Sequence, residues 1–256
     1  MSWMEYEEYK RLYDGLHTAA DVDAFEAEGY DRRLLETLIN QKTTRYVRKR
    51  AYILTKDASK MLAEWNAGRS FLDIADSRKM PPILVAKAIF EKHGTPRKTF
   101  WEYVNDPSLL NSEETAKELT EAREADLVFS PAADARSRER GRWGESLLWD
   151  WLNSQDIKYT TENDRRQEGV KTPDCLLEEP MMFKGHKIFW IESKASFGDA
   201  LEFRYNCNHQ LIPYTELFGP GVVVYWTGYV NGLECPESIY LEDITIREEK
   251  LEKCRD

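Results

Sequence analysis

The chain lacks most of what would tie it to a membrane, a metal-stapled scaffold or an exported fold. No apolar run approaches the roughly 20 residues that a membrane-spanning helix needs. Only four cysteines occur in 256 residues. They are Cys175, Cys207, Cys235 and Cys254, too far apart in sequence for a Cys-x-x-Cys zinc site. Scattered thiols of this kind are expected to stay reduced, as inside a cell. The stretch from Met1 to Tyr13 is acidic and aromatic, without the basic and apolar regions of a secretion signal. A cytoplasmic location, or a nuclear one in a eukaryote, is the expectation. Acidic residues outnumber basic ones, 46 Asp and Glu against 36 Lys and Arg. A net charge of -10 argues against a protein that coats nucleic acid with its whole surface.

Core-forming residues are plentiful. Hydrophobic residues make up 41% and aromatic residues 12% of the chain, which excludes wholesale disorder. The length allows one large domain or two small ones. Proline and small residues at Ser130-Pro131-Ala132-Ala133-Asp134 mark the expected boundary, which divides the chain into residues 1–133 and 134–256.

The first of these reads as all helical. Tyr6, Tyr9, Leu12, Tyr13 and Leu16 recur at helical steps, and Asp31 suits the cap of a helix through Leu34, Leu35, Leu38 and Ile39. The charge then changes sign. Lys42, Arg45, Arg48, Lys49, Arg50, Lys56 and Lys60 are opposed only by Asp57. This cluster is either a solvated helix surface or a phosphate-binding patch. At about residues 70–93 a short helix capped by Ser70, a turn near Arg78 to Met80, and a second helix opened by Pro81-Pro82 form a helix-turn-helix pattern. Leu84, Val85, Ala88 and Ile89 would face inward. Plain helical packing gives the same pattern. If the motif binds nucleic acid, Arg69, Arg78, Lys79 and Lys87 are the expected phosphate contacts.

The second half changes character. A helix is expected over Ser137 to Ser154, with Trp143, Leu147, Leu148, Trp151 and Leu152 at helical spacing. Strands are expected at Ile157–Thr161, from Asp174, over Ile188–Lys194, at Val222–Trp226, and at Ser238–Leu241 with Ile244–Ile246. Asn163 to Val170 reads as a polar loop, Lys184-Gly185-His186 as a hairpin turn, and Ala200 to Phe218 as a helix.

One strand stands out. Ile188-Phe189-Trp190-Ile191 is apolar, yet Glu192-Ser193-Lys194 ends it with two charges. Strand alternation puts Glu192 and Lys194 on the face of Trp190 and Ile188, with Phe189, Ile191 and Ser193 opposite. A buried strand does not carry unpaired charge without cause. Asp174, in Thr172-Pro173-Asp174, supplies a second carboxylate a hairpin away. Asp174 and Glu192 together would suit a divalent metal, with Lys194 beside a water. A buried salt-bridge network is the alternative.

Pro173-Asp174 followed by Glu192-Ser193-Lys194, in the order helix, strand, strand, strand, helix, strand, resembles the restriction-endonuclease-like PD-(D/E)xK superfamily. Gln210-Leu211-Ile212-Pro213-Tyr214 matches the Q-x-x-x-Y signature of its RecB-like members. Lys171-Thr172-Pro173-Asp174, Trp190 through Asp199, and Phe218-Gly219-Pro220-Gly221 are similar to the Thr-Pro-Asp (TPD) nuclease-like family, which has animal and archaeal members. The resemblance implies an α/β core, a central mixed β-sheet flanked by helices, preceded by the all-α helix-turn-helix domain. It implies a nuclease acting on DNA with Mg²⁺ or Mn²⁺. Asp174, Glu192, the carbonyl of Ser193, and Glu145 would bind the metal. Lys194 would handle the water, and Gln210 and Tyr214 would position substrate. Pro213 inside the Q-x-x-x-Y signature departs from a regular helix and puts the role of Tyr214 in question. A catalytically idle binding module, an RNA substrate and a homodimer stay open.

Overall fold

In this computed structural model, residues 3–161, 164 and 171–254 are described. The helices in chain order are α1 (Tyr6–Gly15), α2 (Ala19–Ala27), α3 (Arg32–Arg50), α4 (Tyr52–Lys56), α5 (Ala58–Asn66), α6 (Phe71–Arg78), α7 (Pro82–His93), α8 (Arg97–Asn105), α9 (Glu113–Ala125), α10 (Pro131–Ser154), α11 (Ala200–Asn206) and α12 (Ile212–Phe218). The strands are β1 (Trp3–Met4), β2 (Tyr159–Thr160), β3 (Cys175–Phe183), β4 (His186–Lys194), β5 (Gly221–Tyr225), β6 (Tyr229–Val230), β7 (Ile239–Glu242) and β8 (Glu252–Lys253). Among the described residues no helix is long and apolar enough to cross a membrane. The expected polar loop at 163–170 lies outside the described residues except for Asp164.

The chain divides into two compact units, one of Met1–Leu38 with Glu139–Asp256 and one of Ile39–Arg138. The expected cut between residues 133 and 134 falls inside α10, which opens at Pro131. Proline lacks an amide hydrogen, so it breaks a helix interior but suits the first turn, where that hydrogen has no partner. Ser130 Oγ accepts from the Ala133 amide at 3.3 Å and starts the helix there.

In the Ile39–Arg138 unit, the two helices and turn expected near 70–93 are present. Ser70 Oγ accepts the Asp73 amide at 3.1 Å and caps α6. Lys79 ends α6 in the left-handed conformation, φ 53°. Gly94, φ 105°, ends α7. α7 is the centre of this unit, packed against α4, α5, α6, α8 and α9. Ile83, Val85, Ala86, Ala88, Ile89 and Phe90 are buried, while Leu84 is only partly so. Its first turn is tied down by Asp126, which accepts from the Ile83 amide at 3.1 Å and from the Val128 and Phe129 amides at 3.0 and 2.7 Å. Burial pushes the Asp126 carboxyl above its ordinary range despite these donors.

In the other unit the central sheet has the order β2-β3-β4-β5-β7, with β8 pairing β3. β3 is antiparallel to β2, β4 and β8, whereas β4–β5 and β5–β7 are parallel, so the sheet is mixed. Lys184 and Gly185 take φ of 48° and 82°. Positive φ at both central residues is what a tight two-residue hairpin needs, and the expected turn joins β3 to β4. One face of the sheet, with Cys175, Ile191, Val222 and Val224, packs on Leu148, Trp151 and Leu152 of α10. The other, with Trp190, Val223 and Tyr225, packs on Phe203, Leu211 and Tyr214.

Two sequence expectations are corrected here. Ile188 packs with the Ile191 cluster and Phe189 with the Trp190 cluster, the reverse of simple alternation. The register of β3 against β4 shifts between Leu176 and Met181, and such an irregularity exchanges faces. Residues Ile244–Glu248 form a 3₁₀ turn and not a strand, because Asp243 Oδ1 accepts the Thr245 amide at 2.8 Å. The N-terminal segment joins this unit through β1, which pairs in parallel with β6. Tyr9 OH also donates to Asp199 Oδ2 at 2.9 Å while its ring stacks on Phe197.

Gly221 shows how tightly β4 and β5 are fitted. A Cβ there would lie 2.1 Å from the Trp190 ring, the bulkiest fully buried side chain. Gly221→Ala is therefore expected to cost about 2 kcal/mol of stability by overpacking. Urea unfolding measures this, and an unchanged midpoint would contradict the packing described.

Candidate active site

The antiparallel register Cys175↔Ile191 sets Asp174 opposite Glu192 on the neighbouring strand. Like charges directly opposite one another destabilise a sheet, so both carboxylates need donors. The Asp174 amide donates to Glu192 Oε2 at 3.1 Å, and the Ser193 amide donates to Asp174 Oδ2 at 2.8 Å. Lys194 Nζ donates to Glu192 Oε1 at 2.6 Å and to Gln210 Oε1 at 2.7 Å. Glu192 is 3% exposed, and the Lys194 side chain is 15% exposed. An ion pair this sheltered is costly to assemble, and removing one partner typically costs about 3–5 kcal/mol. Thr172 and Pro173 are buried and anchor the chain just before Asp174.

Gly144 brings α10 against the end of β4. A Cβ at Gly144 would fall 2.6 Å from Trp226 Cδ1 and 3.1 Å from Ser193 Oγ. Trp226 Nε1 donates to that same Ser193 Oγ at 2.7 Å, so helix and strand meet without room for a methyl group. Glu145 follows immediately and is half-buried. Burial pushes the Cys175 thiol far above its ordinary pKa, and the negative charges of Asp174, Glu192 and Glu145 push it further. All three carboxylates thus act on one buried sulfur, which is an inert core thiol and not a nucleophile.

Gln210 reaches Lys194 because the expected long helix is interrupted. α11 and α12 are separated by a π-helical turn, Cys207–Leu211, and Pro213 lies in the first turn of α12. In an α-helix the Pro213 ring would clash with the His209 carbonyl and offer it no amide, so the backbone widens. Lys171 Nζ donates to that carbonyl at 3.0 Å. The wider turn aims Gln210 at the strand ends. Tyr214, expected on nucleic acid, instead packs its ring edge-on to Trp190 with centroids 5.6 Å apart and is 3% exposed.

The structure therefore brings together Asp174, Glu192, Ser193, Lys194 and Gln210, with Glu145 on the helix beside them. Among the described residues no group of three or more His, Cys, Asp or Glu is close enough to hold a metal ion. The donors that are present, two hard carboxylates, fit a cation such as Mg²⁺, which keeps much of its water and takes one or two carboxylates from the protein.

The basic residues expected on nucleic acid belong to the other unit. Arg48, Lys49 and Arg50 are exposed near the end of α3, and Arg45 is partly buried. Arg50 lies over the Tyr46 ring at 4.6 Å and donates to its hydroxyl at 3.0 Å. Lys79 is exposed at the turn after α6, whereas Lys87 on α7 pairs with Glu91 at 2.9 Å. Arg69 and Arg78 both pair with Glu64, at 2.6 and 2.8 Å, so Arg78 is a structural residue and not an open phosphate contact. Sequence reasoning missed the supports of the site. Lys171 was visible only as a neighbour of the Thr-Pro-Asp triplet, and nothing in the sequence marks Trp226 as the partner of Ser193.

Residues 111–249 match the model of a family described as "Protein of unknown function TPD sequence-motif". The chain is 33% identical over 172 residues to the "CDAN1-interacting nuclease 1" of Danio rerio and to that of Homo sapiens, and 34% identical to that of Bos taurus. Each alignment covers 64% of this chain. It covers 57% of the Danio rerio protein and 61% of the other two, so the chain spans well under two thirds of these relatives. No solved structure matches it significantly. The family match takes in more than half of the chain and includes Thr172-Pro173-Asp174 and the strand opposite, so the chain belongs to the TPD sequence-motif family.

Proposed function

We propose that the chain is a metal-dependent nuclease with a restriction-endonuclease-like PD-(D/E)xK core, hydrolysing phosphodiester bonds in DNA. The observation that carries this reading is the hydrogen-bonded set of Asp174, Glu192, Lys194 and Gln210 at adjacent strand ends. The naming of 33%-identical relatives as nucleases supports it.

Asp174 and Glu192 would hold Mg²⁺ or Mn²⁺, with the Ser193 carbonyl and Glu145 supplying further oxygens. Such an ion, when bound, neutralises phosphate charge and acidifies water. Lys194 carries the proton chemistry of the chain itself. Its Nζ lies between Glu192 and Gln210, held by two hydrogen bonds. From that position it would orient the attacking water and stabilise charge developing at the phosphate. Gln210 fixes the ammonium when Glu192 turns to another cation, so its role is to position Lys194. Arg45, Arg48, Lys49, Arg50, Lys79 and Lys87 would contribute phosphate contacts, which supply affinity without reading sequence.

One observation favours a second reading. Lys194 already neutralises Glu192, and among the described residues Glu145 is not gathered with Asp174 and Glu192 into a group of three that could hold a metal ion. An idle site of this kind would bind nucleic acid or protein without cutting.

Labelled duplex, flap, junction and single-stranded DNA, with matched RNA strands, separate these readings when incubated with Mg²⁺ or Mn²⁺. The nuclease reading expects cleavage of DNA that EDTA abolishes and that falls by about 100-fold or more in Lys194→Ala and in Asp174→Asn. A folded protein that cuts no substrate, or a Lys194→Ala variant that cuts equally well, contradicts it.

A further inference from the structure

Among the described residues, three of the few exposed large hydrophobic side chains lie on the helical segment that carries Gln210. Leu201 is 59%, Tyr205 50% and Leu217 56% exposed. Tyr205 is organised as well as open. Its ring stacks on that of His209, with centroids 4.1 Å apart and planes 22° apart. His209 Nδ1 is hydrogen-bonded to the Tyr205 carbonyl at 2.8 Å, which fixes the imidazole against the phenol ring. His209 is also exposed, and it immediately precedes Gln210.

This pair is joined to both chain segments that build the site. Lys171, three residues before Asp174, donates Nζ to the His209 carbonyl at 3.0 Å. An ammonium has three hydrogens, so this bond leaves Lys171 donors for a phosphate oxygen. The rim next to Gln210 and Lys194 thus presents an aromatic pair of fixed orientation with a cation beside it. Side chains four residues apart on a helix face stabilise it by only a few tenths of a kcal/mol, and here both rings of the stacked pair stay exposed beside the site.

We propose that Tyr205 and His209 form a stacking platform for an unpaired nucleobase of the strand whose phosphate lies near Lys194. This rests on the nuclease reading for the identity of the substrate and goes beyond it in naming the strand structure. A base inside a closed duplex has both faces covered by its neighbours. An unpaired base has a free face, and aromatic side chains next to cationic groups bind such bases with little regard to sequence. The site therefore selects single-stranded, overhanging or frayed nucleic acid over blunt duplex. DNA and RNA share the chemistry, and both serve as probes.

Fluorescence anisotropy in EDTA tests this without any cleavage. Fluorescein-labelled single-stranded DNA, single-stranded RNA and a blunt two-stranded DNA duplex are titrated with the full chain as wild type, Tyr205→Phe, Tyr205→Ala and His209→Ala. Thermal melting confirms that each variant is folded. Tyr205→Ala is expected to weaken single-strand binding about 10-fold, while Tyr205→Phe stays near wild type and blunt-duplex binding is unchanged. Undiminished single-strand binding by Tyr205→Ala overturns the platform. So does an equal loss on the blunt duplex, or a surface that binds no oligonucleotide and is left to a protein partner. If Tyr205-dependent binding is found in a protein that never cuts, the hydrolytic reading fails and the platform stands.

Discussion

Two carboxylates set opposite each other across β3 and β4 are the constraint around which the site is built. Asp174 and Glu192 repel, and a sheet designed for stability alone would put an apolar pair there. Negative charge is instead retained and held in place. Two backbone amides, one from each strand, donate to the two carboxylates, and Lys194 supplies the neutralising cation. The strands then have no freedom to slide, because a one-residue slip would turn Glu192 and Lys194 to the α10 face.

Close packing on both sides enforces that register. Gly221 admits the Trp190 ring beside β4, and Gly144 admits the Ser193–Trp226 pair beneath α10. On the opposite face, the π-helical turn before Pro213 puts Gln210 against Lys194 and buries Tyr214 behind Trp190. The π-helical turn lies just ahead of the Pro213 imino acid. Beside it, Gln210 Oε1 is the acceptor that shares Lys194 with Glu192, and His209 stacks on Tyr205.

Much of this is legible in the sequence. The apolar strand ending in Glu192 and Lys194, the tight turn at Lys184-Gly185, the Ser70 cap and the apolar α7 are all local patterns, fixed by period and turn chemistry. What escapes is non-local. In β4 the faces of Ile188 and Phe189 are exchanged where its register with β3 shifts, and no periodicity reports it. Arg78 looks like a phosphate contact until Glu64, well separated from it in sequence, is seen to take its guanidinium. Pro131 reads as a break because its position within the first turn of α10 depends on where the helix starts. Residues 1–38 read as part of a helical domain, yet β1 pairs with β6 and Tyr9 bonds to Asp199. In Gln210-Leu211-Ile212-Pro213-Tyr214 the proline signals a disturbance, and only the folded chain shows that Gln210 gains the site while Tyr214 leaves it.

If the Asp174–Glu192 pair holds a divalent cation, as proposed, metal binding in the absence of nucleic acid reports it without relying on turnover. Calorimetric titration of Mn²⁺ into the wild-type chain and into Asp174→Asn separates the alternatives. Roughly one ion bound per chain is expected, with affinity at least about 10-fold lower in Asp174→Asn. A wild-type chain that takes up no Mn²⁺, or an Asp174→Asn variant that binds it equally well, would contradict the claim and leave the pair as a structural ion network.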